Sequence, residues 1–233
     1  MPTQITQFNP EIFMSRVFLF AGALLVVFAS AAIAGPGVSL PYDGEAQGHD
    51  LTVPVTIHAT NNLAGLQCDV VFDASRLVCT NAPMLVSGPN GIVIDGALIQ
   101  PGVYRLLAYS PTGAVLTNDA VCNVTFSALT NAFNGRAPMG SGTVYFGDTN
   151  AVSIAGTVTP GLILVGDAFG FMPGGGRAQF RGVTGTNYVI KATTNLVLWT
   201  GICTNAATNE LVWTMDTNAL VMAHRFYRSL STP

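Results

Sequence analysis

The chain has 233 residues, 49% of them hydrophobic and only 9% charged, with a formal net charge of −3. A length of this kind holds one large domain or two modest ones. Its nine Lys and Arg residues are scattered, which argues against nucleic acid as a partner, because neutralising phosphates needs clustered cations.

Arg16 opens the first recognisable element, the uncharged run "VFLFAGALLVVFASAAIAG". The run decays into small residues, and Ala32-Ile33-Ala34 before Gly35 has the small-x-small form of a signal-peptidase site. Residues 1–34 are therefore predicted to be a signal peptide, with Met14 as an alternative start that leaves a short "MSR" basic region. Residues 17–34 are near the minimum for a bilayer span, so an uncleaved anchor is the alternative. Export fits a composition low in charge and rich in Gly, Thr and Asn, and predicts a secreted, extracellular or cell-surface bacterial protein.

From Leu40 onward, short apolar stretches alternate with Gly, Pro, Asn and Asp. "LTVPVTIHA" (51–59) puts Val53, Val55 and Ile57 on one face, and Pro54 inside it predicts an edge strand or an edge-facing amide. In "LQCDVVFD" (66–73), Leu66, Cys68, Val70 and Phe72 fall on one side and Gln67, Asp69 and Val71 on the other. Asp73 ends that strand, and its carboxylate suits an Asx-type turn into Ser75 and Arg76. "GVYRLLAYS" (102–110) is a further strand. "AVCNVTFSAL" (120–129) turns Cys122, Val124 and Phe126 inward and Val121, Asn123 and Thr125 outward. "GTVYFGD" and "GLILVGD" supply the last two strands of the block. Strands at this spacing, with turn residues between them, predict an all-β sandwich or barrel. No stretch beyond residue 34 sustains a 3.6-residue period with caps, so helix is expected to be scarce there.

Pro173 and the three glycines after it predict a Gly/Pro linker over residues 167–177. Beyond it, residues 178–233 are predicted to form a small β module. Tyr188, Ile190 and Ala192 share one face there, Leu211, Trp213 and Met215 another, and "HRFYRSL" closes the chain as a strand. Trp199 and Trp213 are expected to supply much of the buried surface of so small a unit.

The search for chemistry gives little. There is no Gly-x-Ser-x-Gly elbow, no Cys-x-x-Cys, and His49, His58 and His224 are too scattered for a metal motif. No catalytic residue, metal site or cofactor is predicted, and the chain is not expected to be an enzyme. Export allows one disulfide among Cys68, Cys79 and Cys122, with small buried thiols as the alternative, and Cys203 is expected to be unpaired. Tyr104 and Tyr109 have opposite parity on one strand, as do Tyr145 and Phe146, so no row of sugar-stacking aromatics is expected. The outward residues Gln67, Asp69, Val71, Asn123 and Thr125 form the candidate binding face, with ordinary solvated surface as the alternative.

Three stretches, "LTVPVTIHATNNLAGLQCDVVFDASRLV", "YRLLAYSPTGAVLTNDAVCNVTFSAL" and "VYFGDTNAVSIAGTVTPGLILVGD", resemble successive parts of a cohesin domain, over roughly residues 38–166. The resemblance lies in the order and spacing of segments, and Ala74 stands where the family often has Pro. It implies a nine-stranded jelly-roll sandwich of the carbohydrate-binding-module-like class over residues 35–166, exported and non-catalytic. In cellulosomal cohesins an Asn-x-Asp pair on the second of these strands grips a dockerin helix. Gly65 and Gln67 occupy those positions here, which puts dockerin in doubt as the partner. "YVIKATTNLVLWT" and "RFYRSLS" resemble a small module at the C-termini of large exported bacterial proteins, which implies a spacer, sorting or surface-attachment role. The expected function is a binding or scaffolding module for protein–protein or cell-surface attachment. The alternative is a carbohydrate-binding accessory protein in extracellular polysaccharide degradation. The expected partner is thus an extracellular protein or polysaccharide, with membrane contact only through an uncleaved signal segment.

Overall fold

Two-residue alternation along the chain becomes two sheets packed face to face in a computed structural model, which describes residues 35–59, 62–80, 83–89, 91–116 and 119–232. The signal-peptide reading of residues 1–34, with Met14, lies outside the described residues. The sandwich strands are β1 (Gly37–Ser39), β2 (Tyr42–Glu45), β3 (Asp50–His58), β4 (Gly65–Val71), β5 (Leu77–Cys79), β6 (Met84–Ser87) and β7 (Val93–Gln100). They continue with β8 (Val103–Tyr109), β9 (Ala120–Ala128), β10 (Gly135–Gly147), β11 (Ser153–Ile154), β12 (Thr157–Thr159) and β13 (Gly161–Val165). One sheet runs β12-β1-β3-β9-β5 with β6 also on β9; the other runs β2-β13-β10-β4-β8-β7 with β11 on β10. The architecture is the expected all-β jelly roll. Strand pieces outnumber the nine of the family outline because several, such as β11 and β12, are only two or three residues long.

Register explains the core. Leu51, Val53 and Val55 of β3 lie opposite Phe126, Val124 and Cys122 of β9, all buried. Leu66, Cys68 and Val70 of β4 face them from the other sheet, beside Leu106 and Ala108 of β8. Phe72 and Phe126 meet edge to face at 5.3 Å across the sandwich. β3 is an interior strand, but β1 covers only Thr56–His58, so among the described residues Pro54 meets no strand on the side away from β9. At the chain's entry, β1 pairs in parallel with β12 and β2 in parallel with β13, so the first and last strands of the sandwich lie together.

The disulfide considered among Cys68, Cys79 and Cys122 is not formed. Cys68 and Cys122 sit on opposing sheets, which pack about 10 Å apart. Cys79 pairs with Phe126, four residues along β9 from Cys122 and so about 13 Å away, well beyond the ~7 Å Cα limit for a bridge. Burial pushes the Cys68 and Cys122 thiols up to about 12, so they behave as small hydrophobes.

The segment expected to be a linker is a hairpin. β14 (Ala168–Met172) and β15 (Gly175–Arg181) pair in register, with Pro173 and Gly174 as the turn. Gly174 has φ +85°, which glycine adopts without strain. The reason for the hairpin lies in β13, "GLILV", whose five residues are all buried. Ile163 and Val165 point into the sandwich core, whereas Leu162 and Leu164 point out and need cover, which Met172 and Ala168 supply. The rest of the C-terminal unit comprises β16 (Asn187–Thr193), β17 (Thr200–Ala206), β18 (Leu211–Asp216), a 3-10 helix η1 (Thr217–Val221) and β19 (Phe226–Thr232). Its sheets run β14-β15-β18 and β17-β16-β19.

Here too the sequence reading needs correction. Val212, Thr214 and Asp216 are the buried side of β18, while Trp213 and Met215 face out. The core of the unit is Ile190, Ala207 and Val212, with Phe180 and Tyr188 packed against it. Thr214 is tolerated inside because Cys203 Sγ lies 2.9 Å from its hydroxyl, and Asp216 because Arg225 and Tyr227 donate to it. Trp213 instead lies 4.6 Å from the Arg177 guanidinium. Arg177, itself 6% exposed, crosses to the sandwich, pairing with Asp43 at 2.6 Å and donating to the Gly44 carbonyl. Gln179 donates to Gly166 O at 2.9 Å, and any Cβ on Gly44 would sit 2.1 Å from the Gln179 Oε1.

Two outcomes test these contacts. Phe126→Ala should cost about 3–5 kcal/mol in urea unfolding, because it opens a cavity between both sheets. Glu45 is buried beside the same junction, and desolvation raises its carboxyl above the ordinary value despite the hydrogen bond from the Ala46 N–H. A raised carboxyl contributes most below its unfolded value and loses that contribution as pH rises towards neutrality. Glu45→Gln should therefore raise the melting temperature at pH 7 and flatten the decline between acid and neutral pH.

Candidate binding face

β4 lies between β10 and β8, and their registers assemble one outer face. Gln67 stands opposite Leu107 and Tyr145, Val71 opposite Val103, and Gly65 opposite Tyr109. β7 extends the face with Asp95 beside Leu107 and Ala97 beside Arg105. Tyr145, Tyr109 and Val71 are the exposed apolar members, at 56%, 43% and 38%.

Asp69 occupies the centre but is not presented to a ligand. It is 5% exposed, and Arg105 forks onto it with Nε–Oδ1 2.7 Å and Nη2–Oδ2 2.9 Å. Ser141–Val144 of β10 carries a bulge, and Gly142 in it comes close to the Asp69 side chain. The hydrogen bonds from Arg105 hold the carboxyl below its ordinary value against the opposing effect of burial. Asp69 is thus the anchor of the face and Arg105 its half-exposed surface.

Asn123 and Thr125 are elsewhere. They point out from β9 in the other sheet, where Thr125 bonds to Thr52 across the strands at 2.9 Å and Asn123 stands opposite Pro54 and Met84. The five candidate residues therefore divide between two outer faces of the sandwich, three on one and two on the other. Outward parity was correct strand by strand, but β4 and β9 belong to opposing sheets, so their outward directions oppose.

At one end of the β4 face, Gly65, Gln67, Tyr145, Gly147, Ser110 and Gly113 line an open cleft of about 370 Å³. Asp148 at its rim is taken by its own turn, accepting from the N–H groups of Asn150 and Val152. Tyr109, opposite Gly65, and Tyr145, opposite Gln67, share this outer face from the two strands that border β4, which parity along single strands could not reveal. Asp73 has the structural role expected of it: Ser75 donates from its N–H at 2.9 Å and its hydroxyl at 2.6 Å, and Arg76 Nε donates at 3.0 Å.

One arrangement escaped the sequence altogether. Ser39 Oγ lies 2.8 Å from His58 Nε2, and His58 Nδ1 lies 2.9 Å from Asp119 Oδ2, the order of a hydrolytic relay. Ser39, however, lies within a regular strand paired on both sides, to Thr56 and Thr159, and the N–H of Leu40 is committed to Thr159 O. A relay for acyl transfer also aims donors at the developing oxyanion, and the N–H groups of Leu40 and Ala59 are already bonded, to Thr159 O and Asp119 Oδ1. The trio ties β1 to β3 and to the approach of β9, with Asp119 also accepting from the Ala59 N–H. No group of three or more His, Cys, Asp or Glu converges as a metal site among the described residues.

No family model and no curated protein matches the chain. Solved structures do. CaCohA2 of Clostridium acetobutylicum, in complex with CaDoc0917, matches 56% of this chain and 99% of its own, at 20% identity and TM-score 0.49. The sixth cohesin of Acetivibrio cellulolyticus scaffoldin B, in complex with a Cel5 dockerin, matches 56% and 99%, at 20% identity and TM-score 0.48. A non-cellulosomal cohesin from Archaeoglobus fulgidus matches 57% and 91%, at 13% identity and TM-score 0.47. The chain is similar to these in outline.

The Asp69–Arg105 fork predicts an acid response. A carboxyl with a lowered folded value contributes above its unfolded value and loses that contribution as pH falls through the lowered one. Asp69→Asn should lower stability at pH 7, and should flatten the fall that the unaltered chain shows below about pH 4, read by urea titration at each pH.

Proposed function

We propose that the chain is a non-catalytic binding module that holds a protein partner on the outer face of β10, β4, β8 and β7. The observation that carries this reading is the make-up of that face. Val71 and Tyr145 lie on either side of a fixed Asp69–Arg105 pair, with Tyr109 farther along the same face, which gives apolar anchors beside a rigid polar centre. Interfaces concentrate their binding energy in such Tyr and Arg anchors. The cohesin-like order of sequence segments supports the same class of function. Gly65 and Gln67 replace the polar pair that cohesins use against dockerin, so the partner here is gripped by aromatic contact and by Arg105. Export and action outside the cell, in a scaffolding or surface-attachment role, complete the reading.

A second reading has one observation in its favour. Tyr145, 56% exposed, lines the open cleft beside Gln67, and a sugar ring can stack on it. This would make the protein a glycan-binding accessory of polysaccharide breakdown.

The two separate in one experiment. The full chain is used to capture proteins secreted by its own organism, beside a glycan array. A defined protein should bind the unaltered chain, bind Tyr145→Ala about tenfold more weakly or worse, and bind Asn123→Asp, on the opposite face, unchanged. Glycan signals lost with Tyr145→Ala, without a protein partner, would replace the first reading with the second.

A further inference from the structure

We propose that one end of the C-terminal unit docks on an anionic phospholipid surface. Thr193 ends β16 directly opposite Phe226, which begins β19. The loop 194–199 and the segment 217–225 that contains η1 therefore emerge at the same end. The first presents Leu196, Val197 and Leu198, and the second Leu220, Val221 and Met222, with exposures from 41% to 78%. Residues 192–202 and 217–223 contain no Asp, Glu, Lys or Arg.

These side chains are held outward rather than left to collapse. Asn195 Oδ1 accepts from the N–H groups of Val197 and Leu198, and Leu196 stands at φ +62°, a costly conformation for a branched side chain. Asp216 caps η1 by accepting from the Asn218 N–H. Exposed apolar segments of this kind, free of charge, mark an interaction surface.

Charge identifies the partner. Lys191 and Arg228 stand directly opposite each other on β16 and β19, and neither has a carboxylate partner among the described residues. Like charges so placed repel, and an anion between them relieves the repulsion. The Arg228 guanidinium also lies 4.3 Å from the Trp199 ring, at the end of the apolar loop. Asp216, the acid that precedes η1, is buried and committed to Arg225 at 2.7 Å. Five of the nine Lys and Arg lie beyond residue 167, against two of the twelve Asp and Glu. Apolar tips over a rim of cations and Trp fit the layered chemistry of a bilayer interface, with acyl chains below and phosphates above. A bilayer accepts protruding side chains without needing a matching groove.

Trp fluorescence of the full chain tests this, with vesicles of phosphatidylglycerol and phosphatidylcholine that carry brominated acyl chains as the quencher. Trp199 and Trp213 are the two tryptophans. Quenching should appear, should persist in Trp213→Phe, and should weaken about tenfold in apparent affinity in Val197→Asp with Val221→Asp. Lys191→Glu with Arg228→Glu should remove the preference for phosphatidylglycerol over phosphatidylcholine. Thermal unfolding of each variant establishes that it is folded, as expected for substitutions at exposed positions. Absence of quenching overturns the proposal. So does quenching that both double variants leave unchanged, which would assign attachment to another part of the chain. A dimer of the unaltered chain that Val197→Asp with Val221→Asp converts to monomer, with no effect of lipid, would assign the patch to a contact between copies and overturn it likewise.

Discussion

The burial of β13 on both faces is the constraint on which the rest of the molecule depends. A sandwich strand normally covers a core on one side and meets water on the other. Leu162 and Leu164 face away from the sandwich core, and leaving both in water would forfeit about 1.5–3 kcal/mol for each. The β14–β15 hairpin removes that cost, and the remainder of the C-terminal unit is built out from it through β15 and β18. The polar ties follow from the same contact. Once β15 lies against β2, Arg177 and Gln179 are shut away from water and take Asp43, Gly44 and Gly166 as partners. Arg177 Nε and Gln179 Oε1 remain without a hydrogen-bond partner among the described residues, so the ties orient the junction more than they strengthen it.

Much of the sandwich was legible because one face of each strand is apolar and the other is not. Val53, Val55, Cys122, Val124 and Phe126 all lie where alternation put them. Legibility failed where a strand had two buried faces or a polar interior. "GLILV" does not alternate, and that continuous apolar run was the available sign that something covers it, so the following Gly-rich stretch had to be structure rather than linker. On β18 the parity was inverted, because Thr214 and Asp216 are buried with partners and Trp213 is left to stack with Arg177. Nothing in the spacing of residues in "ELVWTMD" announces partners that come from β17 and β19.

The binding face was half legible for a related reason. Parity says which side of a strand a residue occupies, but not which sheet the strand joins. Gln67 and Val71 were correctly outward, yet they share nothing with Asn123 and Thr125. Asp69 is outward in direction and buried in fact, because Arg105 comes from β8, 36 residues away, to cover it. Tyr109 and Tyr145 come to share a face only through the β8-β4-β10 order, and Ser39, His58 and Asp119 meet only through the placement of β1 on β3. Sites made by lateral neighbours need topology before they can be read.

The parallel pairing of β1 with β12 and of β2 with β13 has a mechanical consequence. Tension applied between the start of β1 and the end of β13 would slide these strands lengthwise past one another. In that geometry the ladder bonds share the load and must rupture together, whereas peeling a hairpin breaks them singly. The sandwich would thereby resist being pulled open at its own ends.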